Sequence, residues 1–352
     1  MPEGIFAPRR AVALLDPAIA TRNAGDEIIS QAARRWIQHA LPDHFLATVP
    51  THERMGIRSH RLIRQAEHAI VGGSNLLTSH LLFDRGWRVG FRDMALVNKL
   101  VLLGAGWRGY ESDPSPMTKL MLRRLLSRDA LHSVRDTHTG EMLAKAGIEN
   151  VVVTSCMTMW QLTPAHLAAI PREKARAVVT TFTMRQPSPD DLRILDLLTG
   201  LYETVYLWPQ GIDDAGYVRG FAQGRAEILG PTLAAYDALL ARDQPIDYVG
   251  NRLHGGIRAL QKGQRAFILA IDNRATEIAR DTGLPVIPRS APNAEIAARI
   301  SGIWDPGIRL PQAQIDAWLA QFAPAAAAPA RSAPAGSGSA RSAAGNPFRS
   351  RP

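Results

Sequence analysis

Short runs that are apolar throughout alternate along this chain with longer segments whose apolar residues recur at helical spacing. Runs of the first kind are Ala11 to Asp16 (AVALLD), His68 to Gly73, Lys99 to Gly106, Leu131 to Asp136 and Asn150 to Thr154. A second series follows: Ala177 to Thr183, Glu203 to Pro209, Ile246 to Gly250, Ala266 to Asp272 and Leu284 to Ile287. Helical segments lie between them, among them Asp26 to Ala40 and the stretch DTHTGEMLAKAG, which Gly147 stops. Strands without polar alternation are strands covered on both faces. Interleaved with helices, they predict an α/β protein with parallel sheets. Two series predict two Rossmann-like domains with a cleft between them, residues 1–170 and 171–324. In such sheets ligands bind outside the carboxyl ends of the strands.

Residues 325–352 break the pattern. They are Ala, Pro, Ser, Gly and Arg with almost no large apolar residue, a composition that predicts disorder. The chain has 352 residues, 46% of them hydrophobic, and a formal net charge of +9. Four of the arginines (Arg331, Arg341, Arg349, Arg351) lie in that tail, and no run of five basic residues occurs. The scattered charge argues against a nucleic-acid partner and for anionic ligands or an anionic membrane surface. A single cysteine, Cys156, excludes a disulfide framework and a multi-cysteine metal site, and fits a reducing, cytoplasmic compartment. The first residues lack a signal-peptide pattern, and no apolar stretch is long enough to span a bilayer.

The chemistry-bearing residues cluster where strands end. TRNAGDEII places Asn23 and Asp26 at the turn into the first helix, where an aspartate also serves as a cap. VGGSNLL puts Ser74 and Asn75 after a Gly-Gly turn whose amides can hold an anion or a sugar hydroxyl. It is not a dinucleotide fingerprint, and no phosphate loop occurs. SVRD ends in Arg135 and Asp136, the latter a cap and the former a candidate anion contact. Arg185 follows another strand. Cys156, beside Met and Trp, reads as core and not as a nucleophile. In YVGNRLHGGIRAL, Arg252 and His254 stand two apart at the top of the Ile246 strand, with His254 at a helix start. The helix field there disfavours imidazolium and poises the ring for proton exchange. Asp272, Asn273, Arg274 and Glu277 follow the next strand, where capping and a surface pair account for them.

In this order the motifs resemble the polysaccharide pyruvyl transferase family. The resemblance rests on Asn23–Asp26, Gly72–Gly73, Ser133–Asp136 and, most of all, Arg252-Leu253-His254, and it runs from about Ala11 to Ile287. Many members carry Asp-Pro where this chain has TSCMTMW, and a lysine near Arg274. The resemblance implies a GT-B-like two-domain fold and transfer of pyruvate from phosphoenolpyruvate to a sugar of an exopolysaccharide or cell-surface glycan, as a ketal. It implies His254 as the catalytic acid/base and Arg252, Arg185 and Arg135 as the phosphoenolpyruvate contacts. Asn23, Asp26, Ser74 and Asn75 would face the acceptor, a glycan or lipid-linked saccharide. Neither a metal nor a cofactor beyond the donor is expected, and the location is cytoplasmic, with peripheral contact at the inner membrane surface. Two other readings fit the residues: a GT-B glycosyltransferase using a nucleotide sugar, and a non-catalytic glycan- or anion-binding protein.

Overall fold

Two parallel sheets account for nearly all the strands of the computed structural model, which describes residues 10–323. The expected disordered tail lies outside those residues. The first sheet holds β1 (Ala11–Asp16), β2 (Phe45–Pro50), β3 (His68–Val71) and β4 (Leu100–Leu102) in the order β2-β1-β3-β4. A parallel pair, β5 (His132–Val134) and β6 (Val151–Val153), abuts it through a bridge between Ala105 and Val134. The second sheet holds β7 (Ala177–Thr180), β8 (Thr204–Leu207), β9 (Glu227–Ile228), β10 (Ile246–Gly250), β11 (Ala266–Ala270) and β12 (Val286–Pro288). Its order is β12-β11-β10-β7-β8-β9.

The continuous apolar runs are explained by burial on both faces. Along β1, Val12 and Leu14 enter one apolar cluster while Ala13 and Leu15 enter another, on the opposite side of the sheet. The α/β class with two parallel sheets is therefore the observed one. Several strands, β3 and β4 among them, are shorter than their apolar runs, because the glycine-rich ends turn out of the sheet to build loops. The run from His68 ends as strand at Val71, and Gly73 has a φ of 77° that a side chain would strain. The pattern did not reveal β2, an edge strand whose Phe45 is 74% exposed, or the two-residue β9. Edge strands lack the second buried face that makes a run conspicuous.

The last described helix, Gln312–Ala320, returns to the first half of the chain and packs on β5 and β6. The indole Nε1 of buried Trp318 donates to the carbonyl of Leu102 at 3.1 Å, and Gln321 exchanges hydrogen bonds with the backbone of Leu131. By sequence order this segment belongs to residues 171–324; by packing it closes the N-terminal half. Helix Ala24–Ala40 packs in turn against helix Leu253–Gln261, so one apolar cluster runs through both halves. No helix among the described residues is long and apolar enough to cross a membrane.

Candidate active site

The carboxyl ends of strands from both sheets open onto a cleft of about 600 Å³. Its N-terminal wall includes Thr21, Asn23, Asp26, Ser74 and Asn75; its C-terminal wall includes Arg185, Arg252, Asp272 and Arg274. Arg22, Arg85 and Arg108 complete a set of six arginines, against two carboxylates, Asp26 and Asp272. Six of the eight residues singled out from the sequence as contacts or catalyst are thus brought together on one surface. The other two, Arg135 and His254, lie behind it.

On the N-terminal wall the Asp26 carboxylate organises its neighbours. It accepts from Thr21 Oγ1 at 2.7 Å and from Ser74 Oγ at 3.3 Å. Asn23 caps helix Ala24–Ala40, its Oδ1 accepting from Gly25 N, and also accepts from Gln210 Nε2 at 2.9 Å across the cleft. Asn75 donates to the Arg108 carbonyl and accepts from Arg135. Ala20 and Ser74 hold positive φ values of 58° and 68°, and both line the cleft. Left-handed non-glycine backbone costs of order 1 kcal/mol or more and concentrates at functional sites.

The C-terminal wall is built on the end of β10. Arg252 is 7% exposed and its Nη2 pairs with the buried Asp214 carboxylate, which also accepts from Gly211 N at 2.8 Å and Met184 N at 2.9 Å. Asp214 sits in an ordinary-looking IDDAG helix start, and nothing in the sequence singled it out. Arg185 is exposed to the cleft and forms no ion pair among the described residues. Arg274 donates from Nε to Asp272 at 2.9 Å. Burial raises the Asp272 carboxyl, but the Arg274 charge and hydrogen bonds outweigh it and hold it below the usual range.

Several buried polar atoms past the ends of β8, β10 and β11 lack any partner: both amide atoms of Asn251, Arg252 Nε, Gln210 Oε1 and Asn273 Nδ2. A buried polar group left unpaired costs about 1–3 kcal/mol, so such a concentration marks a place where a polar ligand belongs. Behind Arg252, His254 lies in the first turn of helix Leu253–Gln261 and is 8% exposed. Burial, with Arg274 and Arg135 adding to it against Asp272, pushes its pKa down to about 3. The imidazole of the unliganded protein is therefore neutral. Its Nε2 lies 3.6 Å from Cys156 Sγ, a contact that spacing along the chain could not show across 98 residues. Burial raises the thiol pKa, which keeps the sulfur protonated and unreactive, in line with its reading as a core residue.

Arg135 does not reach the cleft wall. It is 2% exposed, paired with Asp136 at 2.9 Å, and bonded to Asn75 Oδ1 and the Trp107 carbonyl. Gly106 makes this possible, since a Cβ there would sit 2.2 Å from the guanidinium carbon. With its guanidinium held by Asp136, Asn75 and Trp107, Arg135 touches the cleft lining only through Asn75. Asp136 caps helix Thr137–Lys145 as expected, accepting from Thr139 N at 2.8 Å.

Gly255 and Gly256 serve packing, not close approach of a ligand to the backbone. A Cβ on Gly256 would meet Ile268 Cγ1 at 2.5 Å and Tyr248 Cε1 at 2.9 Å. Gly256→Ala is expected to destabilise the protein by about 1–3 kcal/mol through overpacking. Urea unfolding checks this, and an unchanged midpoint would show that the helix can slide without loss. Among the described residues one group of metal-competent side chains, His44, Glu67 and His68, comes together, but at the amino end of β3, away from the cleft.

Fold and site together describe an arginine-lined cleft between two parallel α/β sheets. The model of the polysaccharide pyruvyl transferase family matches residues 23–273, most of the chain, and the protein belongs to that family and is a transferase. No curated protein matches it by sequence. Three solved structures align with it over most of its length. UDP-GlcNAc 2-epimerase of Methanocaldococcus jannaschii, in complex with UDP-GlcNAc and UDP, shows 11% identity and a TM-score of 0.49 over 86% of this chain and 94% of that one. The wall teichoic acid polymerase TagF with CDPG shows 9% identity and a TM-score of 0.41 over 90% and 82%. LpCGTa in complex with UDP shows 11% identity and a TM-score of 0.31 over 90% and 100%.

Proposed function

We propose that the protein transfers the pyruvyl group of phosphoenolpyruvate to a terminal sugar of a cell-surface or exported polysaccharide, forming a ketal across two hydroxyls. Family membership supplies the reaction class. The observation that carries the donor is the convergence of Arg185, Arg252 and Arg274 on one wall beside the unpartnered amide of Asn251. A small anion bearing both carboxylate and phosphate suits forked guanidinium donors better than a neutral sugar does. Proton delivery to the enol methylene makes C2 electrophilic. One sugar hydroxyl adds at C2 and its proton restores the acid; the C2–O bond to phosphate breaks with the electron pair leaving on phosphate, and the second hydroxyl closes the ring as its proton passes to that phosphate.

His254 supplies the proton in this reading. It stands neutral in the free protein, and the negative charge of a bound donor offsets Arg274 and Arg135 and raises its pKa. Arg252 and Arg185 grip the donor. The wall of Asn23, Asp26, Ser74 and Asn75, with Asp26 able to accept from a hydroxyl, faces the acceptor. No metal and no further cofactor take part, and the reaction runs in the cytoplasm.

The test is to incubate the protein with phosphoenolpyruvate and a panel of terminal sugars, following phosphate release together with acceptor mass. Matched gains are expected. Consumption of a nucleotide sugar instead would make the protein a glycosyltransferase, and binding without turnover would make it a binding protein. Arg185→Ala, which removes an exposed cation and no ion pair, is expected to raise KM for phosphoenolpyruvate about tenfold with little change in stability. An unchanged KM would remove Arg185 from the donor site.

A further inference from the structure

Beside the N-terminal wall of the cleft the surface changes character. Helix Ile57–Gln65 carries Arg58, Arg61 and Arg64 on successive turns of its exposed side, while His60 and Ile63 are buried beneath. Arg54, Arg85, Arg88 and Arg92 extend the field from the adjoining loops and helix Phe91–Leu96. All seven arginines are exposed, and among the described residues none of them forms an ion pair or a side-chain hydrogen bond. Most other arginines among the described residues do have such partners, for example Arg108 with Asp84 and Arg258 with Asp237.

Large apolar side chains stand among these charges. Phe83 is 84% exposed, Ile57 68% and Phe91 62%. Two grooves hold Ile57 and Phe91: one is lined by Arg54, Arg88, Phe91 and Arg92, the other by Ile57, Arg61, Arg64 and Arg92, and Arg92 borders both, while Phe83 stands two residues from Arg85. The surface is firmly built. Buried His60 bonds Asp93 at 2.7 Å and thereby fixes the two helices side by side, and Asp93 also caps its own helix through Gly90 N. The face continues into the cleft at Arg85 and Gly86.

We propose that this face docks on an anionic lipid bilayer, with the arginines on phosphate head groups and Phe83, Ile57 and Phe91 inserted between them. A cationic field alone would fit any polyanion. Exposed phenylalanines and an isoleucine among unpaired arginines fit a surface that is charged at its boundary and apolar just below. This assignment places the expected peripheral membrane contact on a folded face, and it stands independently of the reaction proposed above.

The experiment is co-sedimentation of the full chain with vesicles of about one-third phosphatidylglycerol in phosphatidylcholine. Binding is expected there, falling with added salt, and little is expected on phosphatidylcholine alone. Each arginine near the surface contributes about fivefold in partitioning, so Arg58→Glu/Arg61→Glu should weaken binding about 25-fold or more. Phe83→Ser/Phe91→Ser should weaken it about tenfold while the salt dependence persists. These residues are exposed, so folding should survive, and circular dichroism confirms it. The charge-matched control Arg176→Glu/Arg219→Glu, on the C-terminal half, should bind like the parent. Equal loss in that control, undiminished binding of the two face variants, or loss of binding on removal of residues 325–352 alone would overturn the proposal. So would parent binding to single-stranded nucleic acid that the phenylalanine pair leaves unchanged, together with failure to bind vesicles.

Discussion

His254→Ala is expected to lower turnover of phosphoenolpyruvate by about 10²–10⁴-fold, the range that a positioned general acid contributes. The expectation joins two statements that at first conflict. His254 is held neutral, with its pKa pushed down to about 3, yet the proposed reaction needs a proton donor. The causes of the depression are burial and the charges of Arg274 and Arg135, and a bound anion of two or three charges acts in the opposite sense on the electrostatic part. The donor would thus create its own acid, and the pH dependence of kcat should report a higher group pKa than that of kcat/KM. The same depression has a consequence for stability. The folded value lies below the unfolded reference of 6.5, so the unfolded chain binds the proton more readily. The stability contributed by the neutral ring is present above about pH 6.5 and is lost as pH falls from there towards about 3. His254→Gln should flatten that acid loss in urea unfolding while abolishing turnover. Near-normal turnover in either variant would remove His254 from the mechanism.

The parts of this protein legible in its sequence are those where one segment is enough. Buried parallel strands show as unbroken apolar runs because both faces of each are covered, and ten of the twelve could be read that way. The edge strand Phe45–Pro50 could not, since it is half exposed. The site was legible as a list of polar residues after strands, because strand ends in such sheets are where the chain is free of core packing. What could not be read is which side chains face inward. Arg135 and Arg252 look alike in sequence, each at a strand end before a helix, but Gly106 leaves room for one to fold beneath the cleft floor. The return of helix Gln312–Ala320 to β5 and β6 and the contact of Cys156 with His254 are long-range pairings that no local pattern encodes. Asp214 belongs to the same class of omission. Its partner lies 38 residues away, and its importance follows from burial alone.

Arg252 is expected to have the second largest effect, and there a structural role must be separated from a chemical one. Its guanidinium is paired with Asp214 inside the protein, so Arg252→Ala leaves a carboxylate buried with only the amides of Gly211 and Met184 for company. Breaking one side of a buried pair costs about 3–5 kcal/mol. Turnover should fall by about 10²–10³-fold as well, the loss typical of one fixed donor aimed at developing negative charge. A single variant cannot tell the two apart, because a partly unfolded protein is also inactive. Asp214→Asn on the Arg252→Ala background removes the orphaned charge, and its single carbonyl oxygen keeps the bond from one of the two amides, which reach different oxygens of the carboxylate. Part of the lost stability should return, and the activity should not. Arg252→Lys supplies the complementary case: the charge stays, the forked geometry goes, and KM for phosphoenolpyruvate should rise by at least about tenfold with a smaller change in stability. If activity returned with stability in the double variant, Arg252 would be a strut for the loop carrying Asp214, and the donor would have to be held by Arg185 and Arg274 without it.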